Sequence, residues 1–435
     1  MSQNVYHRLT PEQLNDEYAS LCQRYEAFKR RKLRLDMSRG KPCPEQLDLS
    51  AGLLDAISSA DCLRSDDGMD LRNYGGLDGI PEAKRLFAAM LGVGEMDILI
   101  GGSSSLAMMY DTLAGAMLYG VYGSSVPWSK LPAVKFLCPS PGYDRHFAIC
   151  ERLGIEMIPV DMQDSGPDMD EVERLVSEDA AIRGIWCVPK YSNPEGITYS
   201  DDTVERLARM RCQAADFRIM WDDAYTLHHL TDQPDLLRNM LEACRAAGCE
   251  DRVLHFSSTS KISFPGSGVA MMAASPNNLS HYRKQLSYQT IGPDKINQLR
   301  HVRFFGDLAA LQTHMEKMAA ILKPKFDAVL SILEEHLGGK QIAAWNKPNG
   351  GYFISLNTLD GCAKAVVDMA AEAGVTLTKA GATYPYGHDP RDCNIRIAPT
   401  YPSIDELQAA LEILCVCVQL AAVEQLQRSS AADTL

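Results

Sequence analysis

Between residues 98 and 274 the chain alternates short apolar runs with amphipathic stretches. The runs are Ile98–Ile100, Val134–Cys138, Gly154–Val160, Ile182–Val188, Phe217–Trp221, Val253–Phe256 and Gly268–Ala274. Apolar runs of this length bounded by turn residues read as buried strands. A helical pattern over 106–119 follows the first. Strands alternating with helices predict an α/β fold, a mainly parallel sheet with helices on both faces. Outside this region the rhythm changes. Thr10-Pro11-Glu12-Gln13 is a capping box with proline at the first helical position, and Leu14, Tyr18, Leu21, Tyr25 and Phe28 follow at helical spacing. Arg30-Arg31-Lys32 ends that helix with cations at its negative pole. A connector helix is predicted over 308–322. Strands over 341–345, 351–356, 375–378 and 394–398, a helix over 363–373 and a last long helix capped by Ser403 predict a smaller α+β domain. The division expected is 1–50 as an N-terminal helix and arm packing with the small domain, 51–318 as the large domain, and 319–435 as the small one.

Composition narrows the possibilities. The chain has 435 residues, 46% hydrophobic and 23% charged, enough for two domains with their own cores. Its net charge of -13, with no long basic block, argues against nucleic acid or an anionic membrane as partner. The thirteen cysteines show neither a CxxC pair nor a metal spacing, and read as buried thiols of a cytoplasmic protein with no metal site. The N-terminus lacks the apolar core of a signal peptide, and the uncharged run over 413–423 is too short to span a bilayer.

Candidate chemistry gathers at the predicted strand ends. Ser258-Thr259-Ser260-Lys261 places a lysine among hydroxyls between two buried runs. Desolvation lowers a lysine pKa, and a neutral amine attacks carbonyls; a surface-loop lysine is the plainer reading. Gly101-Gly102-Ser103-Ser104-Ser105 joins a strand to a helix N-terminus, a recipe for binding phosphate that a serine-capped helix shares. Tyr143 stands where a strand gives way to a helix, and its ring could stack on a flat ligand. Asn193-Pro194 makes a turn that aims the asparagine amide. Asp222 ends another strand, as a helix cap or as a partner for a cation. Ser38-Arg39-Gly40-Lys41-Pro42 is a turn with two cations that suits a carboxylate or plain solvent, and Tyr74 lies in a glycine-rich loop.

A reactive lysine, a strand-end acid, an anion cradle and a stacking aromatic together suit pyridoxal 5'-phosphate. With them the chain resembles the fold-type I, class I PLP-dependent aminotransferases. It is most similar to the subgroup Ic aspartate aminotransferases in its Ser-Arg-Gly-Lys-Pro, Asn-Tyr-Gly-Gly-Leu-Asp-Gly, Tyr-Ser-Asn-Pro-x-Gly and Ser-Thr-Ser-Lys-Ile stretches, in order along residues 30 to 420. The resemblance implies a large PLP-binding domain and a homodimer with shared active sites. It implies transfer of the amino group of aspartate or glutamate to a 2-oxo acid such as 2-oxoglutarate by a ping-pong route. It makes Lys261 the residue that bonds the cofactor aldehyde and moves the proton, and Asp222 the partner of the ring nitrogen. Tyr225 and Asn193 would meet the phenolic oxygen, and Tyr143 would stack on the ring. Ser104, Ser105 and Ser258 would hold the phosphate, with Tyr74 reaching it from the other subunit. Arg396 would grip the substrate α-carboxylate in a two-pronged pair, helped by the Gly40 N–H.

The sequence departs from the wider class at three places. The stretch Phe264 to Val269 carries no arginine to neutralise the phosphate. Ser103 stands where other aspartate-specific enzymes carry a lysine for the distal carboxylate, which leaves Arg39 and Lys41 as candidates. Glu195 replaces the usual threonine of the Asn-Pro turn. A PLP-dependent lyase or a neutral-amino-acid transaminase would share the scaffold. A PLP-binding transcription sensor would need a DNA-binding segment, and nothing before Pro42 is long or basic enough to supply one.

Overall fold

The computed structural model describes residues 5–432. The chain forms two compact units. One comprises Glu45–Ser192 and Ile197–Ala319; the other comprises the chain up to Pro44, the short segment Asn193–Gly196, and the chain from Ala320 onward.

The larger unit is built on an eight-stranded sheet. Its strands lie in the order Ile98–Ile100, Ala270–Ala274, Val253–Ser258, Arg218–Asp222, Ile182–Cys187, Lys135–Ser140, Glu156–Gln163 and Gly166–Pro167. Val253–Ser258 through Glu156–Gln163 run parallel to one another. Ala270–Ala274 is antiparallel to both of its neighbours. Ile98–Ile100 therefore runs in the same direction as the parallel set, and its C-terminal end shares their edge. Alternate residues of each strand face opposite sides. Leu254 and Met220 join Met108, Leu113, Phe147 and Tyr282 in one apolar cluster. Val253 and Ile219 join Val172, Val204, Leu207 and Leu241 in another. Covering both faces with helices explains why these strands read as continuous apolar runs. It also leaves their C-terminal ends as the place where polar side chains collect. The apolar runs predicted as strands all appear, with edges moved by a few residues. The run predicted over 154–160 becomes the strand Glu156–Gln163, which pairs with Lys135–Ser140 as far as Asp161 and is carried onward by its pairing with Gly166–Pro167.

In the smaller unit, Ala343–Trp345, Ile354–Thr358 and Asn394–Ile397 form an antiparallel sheet, and Leu35–Asp36 pairs in parallel with Val375–Thr376. The helix Pro11–Arg30 begins with the predicted capping box, in which Thr10 and Gln13 bond reciprocally. Its Tyr18 hydroxyl donates to Glu424 Oε1 at 3.0 Å, and Tyr25 donates to the Met369 carbonyl at 2.9 Å. The connector departs from the expectation. It runs as Leu308–Leu337, straight through Pro324. A proline inside a helix removes one hydrogen bond. Leu322, Phe326, Val329, Leu333 and Leu337 are nevertheless all buried at helical spacing, and that burial outweighs the loss. The last helix, Ile404–Ala432, contains a stretch long and apolar enough to cross a membrane, but 78% of that stretch is buried inside the protein. It is a core helix by packing. All thirteen cysteines are free, and most are buried.

Candidate active site

The C-terminal edge of the large sheet carries the predicted lysine. After Val253–Ser258 the chain turns through Thr259, which is fully buried. The Thr259 N–H donates to the Val269 carbonyl at 2.9 Å, and its hydroxyl oxygen accepts from the Val269 N–H at 2.9 Å and from the Ser263 hydroxyl at 3.0 Å. These bonds fix the turn on which Lys261 stands. The Lys261 ammonium lies 4.9 Å from the centre of the Tyr225 ring. Burial depresses the lysine below its ordinary pKa, and the Asp222 charge pulls the other way.

Asp222 ends the neighbouring strand and is buried. Its Oδ2 meets His146 Nε2 at 2.9 Å. An ionised carboxylate can only accept, so Nε2 carries the hydrogen. His146 lies in the first turn of the helix Asp144–Leu153 and stacks flat on Trp186, with ring centres 4.0 Å apart and planes within 6°. Tyr143 stands edge-on to the same imidazole at 4.9 Å. The second oxygen of Asp222, Oδ1, is buried and has no hydrogen-bond partner among the described residues. A buried acceptor left open is costly unless a ligand donor fills it. Sequence reasoning missed His146. The available signal was a histidine three residues after Tyr143, on the helix that leaves the adjacent strand end.

The predicted phosphate cradle assembles in part. The helix Ser105–Tyr119 starts beside Gly101–Ser104, and the hydroxyl of Ser104 does not cap it. Ser105 Oγ and Ser258 Oγ lie 3.5 Å apart, and Ser258 donates to Ser260 Oγ at 3.0 Å. A side chain at Gly268 would come within 2.9 Å of the Ser103 carbonyl, so only glycine allows this approach. Val269 turns into an apolar cluster with Leu299 and Ile262. A cavity of about 300 Å³ lies among Gly101–Ser103 and Gly266–Val269, with both Arg300 and Asp294 in its wall.

Tyr74 is 79% exposed. Its loop is held from beneath by Lys295, whose Nζ donates to the Gly75 carbonyl at 2.8 Å. Tyr288 and Ile291 are also exposed in this unit.

The smaller unit has a constellation of its own around Arg396, which is buried on the strand Asn394–Ile397. Its Nη1 donates to Asn193 Oδ1 and its Nη2 to Thr378 Oγ1, both at 3.2 Å. Its guanidinium stacks 4.9 Å from the Phe353 ring. A Cβ on Gly40 would lie 2.5 Å from the same ring, so a larger residue at 40 would force the ring to move. The Thr378 hydroxyl in turn donates to the Ser38 carbonyl at 2.7 Å. Arg396, Asn193 and the Ser38–Pro42 turn are thus tied together. Arg39 and Lys41 are both exposed, and Lys41 rests its Nζ 3.7 Å over the Tyr401 ring. Glu195 accepts from the Ser355 hydroxyl at 2.6 Å, a use for the residue that replaces threonine.

Comparison with known proteins gives a consistent result. Residues 9–430 match the family model described as aspartate amino-transferase. A relative in Mycolicibacterium smegmatis, assigned as an aminotransferase, is 49% identical over 92% of this chain and 94% of its own. The aspartate aminotransferase of Corynebacterium glutamicum is 44% identical over 94% of each chain. The crystal structure of an aspartate transaminase from the same organism superposes with a TM-score of 0.95 at 42% identity, covering 98% of this chain and all of the other.

Proposed function

The chain belongs to the aspartate aminotransferase family, whose members work with pyridoxal phosphate, and from that premise we propose that it moves the amino group of aspartate or glutamate to a 2-oxo acid such as 2-oxoglutarate in two alternating half-reactions. The protein is a PLP-dependent aminotransferase of fold type I. The residues present fit the cofactor. The open, buried Oδ1 of Asp222 suits the N–H of a protonated pyridine, and an amine of lowered pKa suits an aldehyde. When bound, the cofactor supplies that aldehyde and a ring that draws electrons from the substrate Cα.

The chain's own residues divide the remaining work. Lys261 would hold the cofactor through its aldehyde, and its amine, when free, would carry the proton that leaves the substrate Cα. Asp222, aligned by His146, keeps the ring nitrogen protonated. Tyr225, whose ring faces the Lys261 amine, and Asn193 would meet the phenolic oxygen. Ser104, Ser105 and Ser258 take the phosphate at a helix N-terminus. Arg396, braced by Asn193 and Thr378, takes the α-carboxylate with its planar fork, and Gly40 offers its N–H. Tyr74 would complete the phosphate site from a second copy of the chain, which suits its exposure.

The observation that carries this reading is that Lys261 and Asp222 follow neighbouring strands at one edge of the sheet, where the acid keeps one buried oxygen open. The choice of aspartate draws on the C. glutamicum relative. The test is one half-reaction at a time. Aspartate, glutamate, alanine and phenylalanine are mixed singly with the protein, and the visible absorbance of the bound cofactor is followed. Fastest conversion by the two dicarboxylates supports the proposal. Fastest conversion by a neutral or aromatic amino acid would replace it with a different transaminase, and conversion without transfer of nitrogen to an oxo acid would point to a lyase.

A further inference from the structure

The turn that follows Asp222 holds a histidine that no step above uses. His228 is 4% exposed. Its Nε2 lies 3.2 Å from the main-chain oxygen of Lys261. A carbonyl only accepts, so Nε2 carries the hydrogen and donates it. The same imidazole stands edge-on to Tyr225, with ring centres 5.6 Å apart and planes at 89°. One side chain therefore touches the backbone of the lysine and the ring of the tyrosine that faces the lysine amine.

The turn carrying His228 is itself anchored. The Asp223 N–H donates to the Phe256 carbonyl at 2.8 Å, and the Asp223 carbonyl accepts from the Ser257 hydroxyl at 2.8 Å and the Thr226 hydroxyl at 3.1 Å. The buried Lys190 donates its Nζ to the Thr226 carbonyl at 3.0 Å. This is far more restraint than a surface turn needs, and it ends on His228. Burial and the neighbouring Lys261 charge push the imidazole down to about 3, with His229 adding to the effect and Asp223 opposing it. It is neutral at physiological pH and adds no second positive charge beside the lysine.

We propose that His228 is a positioning residue for transamination: its Nε2–H holds the Lys261 carbonyl, so that the lysine amine keeps one register against Tyr225. Lysine reaches its target through four rotatable side-chain bonds. A fixed backbone origin removes one source of scatter, and a misplacement of about 1 Å can cost about 100-fold in rate. The inference rests on Lys261 being the cofactor lysine. Borohydride reduction of the wild-type protein, followed by peptide mass analysis, tests that separately.

Three variants of the holoenzyme decide the matter. His228→Gln keeps an N–H at nearly the reach of Nε2. His228→Asn is too short, and His228→Phe keeps the ring without the donor. Each is read by the saturating rate of the aspartate half-reaction, the pH midpoint of the bound cofactor's visible band, and the melting temperature of the cofactor-free protein. Phe and Asn are expected to lower the rate by about tenfold or more and to move the pH midpoint by about half a unit or more, while Gln stays within about threefold with the wild-type midpoint. A purely structural histidine would change the melting temperature and leave the midpoint alone. Wild-type rate and midpoint in Phe and Asn would overturn the proposal, as would a Gln variant as impaired as they are. Should the Phe variant not fold, the contrast between Gln and Asn carries the same decision.

Discussion

His146 Nε2 lies 2.9 Å from Asp222 Oδ2, and this bond turns the second carboxylate oxygen toward a place where no other described residue meets it. The acid is thus oriented before any ligand arrives. Asp222→Asn replaces the acceptor and its charge with a neutral amide. The aspartate half-reaction should slow by about 10³-fold, the scale seen when a preorganised charge-stabilising group is lost. Cofactor retention on gel filtration should survive. His146→Leu leaves the charge and removes only its orientation, so its loss should be smaller. An Asp222→Asn enzyme of near-normal rate would reduce the acid to a structural role.

Lys261→Ala should bind pyridoxal phosphate loosely, take no mass tag after borohydride reduction, and lose transamination almost wholly. The depressed pKa has a further consequence in the cofactor-free protein. A lysine whose pKa is lowered is more fully neutral at any given pH below its ordinary range. Amine labelling of Lys261 should therefore rise at lower pH than labelling of the exposed lysines, read by peptide mass across a pH series. A labelling curve that coincides with theirs would count against the buried environment.

Substrate choice separates two cations of one turn. Both are exposed, but Lys41 is held over the Tyr401 ring. A cation that pairs with the distal carboxylate favours aspartate because a neutral side chain would leave it desolvated and unpaired. Arg39→Ala should weaken the preference for aspartate over alanine more than it weakens alanine turnover, and Lys41→Ala should do so less. If both variants keep the full preference in competing half-reactions, the cation belongs to another part of the chain or to a second copy.

Shared sites make a sharper prediction. Tyr74→Phe protomers mixed with Lys261→Ala protomers should yield heterodimers with one fully wild-type site each. Activity should rise on mixing toward roughly a quarter of the wild-type value, as random pairing makes half of the dimers mixed with one intact site apiece. Activity that stays flat after subunit exchange, with exchange confirmed by mass, would exclude a site completed by Tyr74 of a second copy.

The sequence was most readable where local chemistry and period agreed. Apolar runs closed by Gly-Ser, Asp-Asp or Ser-Thr-Ser-Lys marked both the strands and their functional ends, because strands buried on both faces leave only their ends polar. The capping pairs Thr10–Gln13 and Ser403–Glu406 were legible for the same reason, being complete within four residues. His146 was not legible, because its partner lies 76 residues away and no spacing rule links them. His228 escaped notice because its bond is to a main-chain atom, which leaves no signature in residue type. The helix Leu308–Leu337 outran its predicted end because buried side chains beyond Pro324 overrode a local signal.

The hydroxyl of Tyr18 bonds to Glu424 across 406 residues of chain, and the helices that carry them pack together. That contact sets an order on synthesis. A ribosome delivers Pro11–Arg30 long before Ile404–Ala432, the helix it packs against. Everything from Glu45 to Ala319, apart from Asn193–Gly196, can reach its partners while translation continues. The first helix must meanwhile wait with Leu14, Leu21 and Tyr25 uncovered. A chain that stalls before residue 404 can therefore bury its sheet and still display Pro11–Arg30 as an unsatisfied amphipathic helix. That exposed stripe distinguishes an unfinished chain from one whose two helices have met.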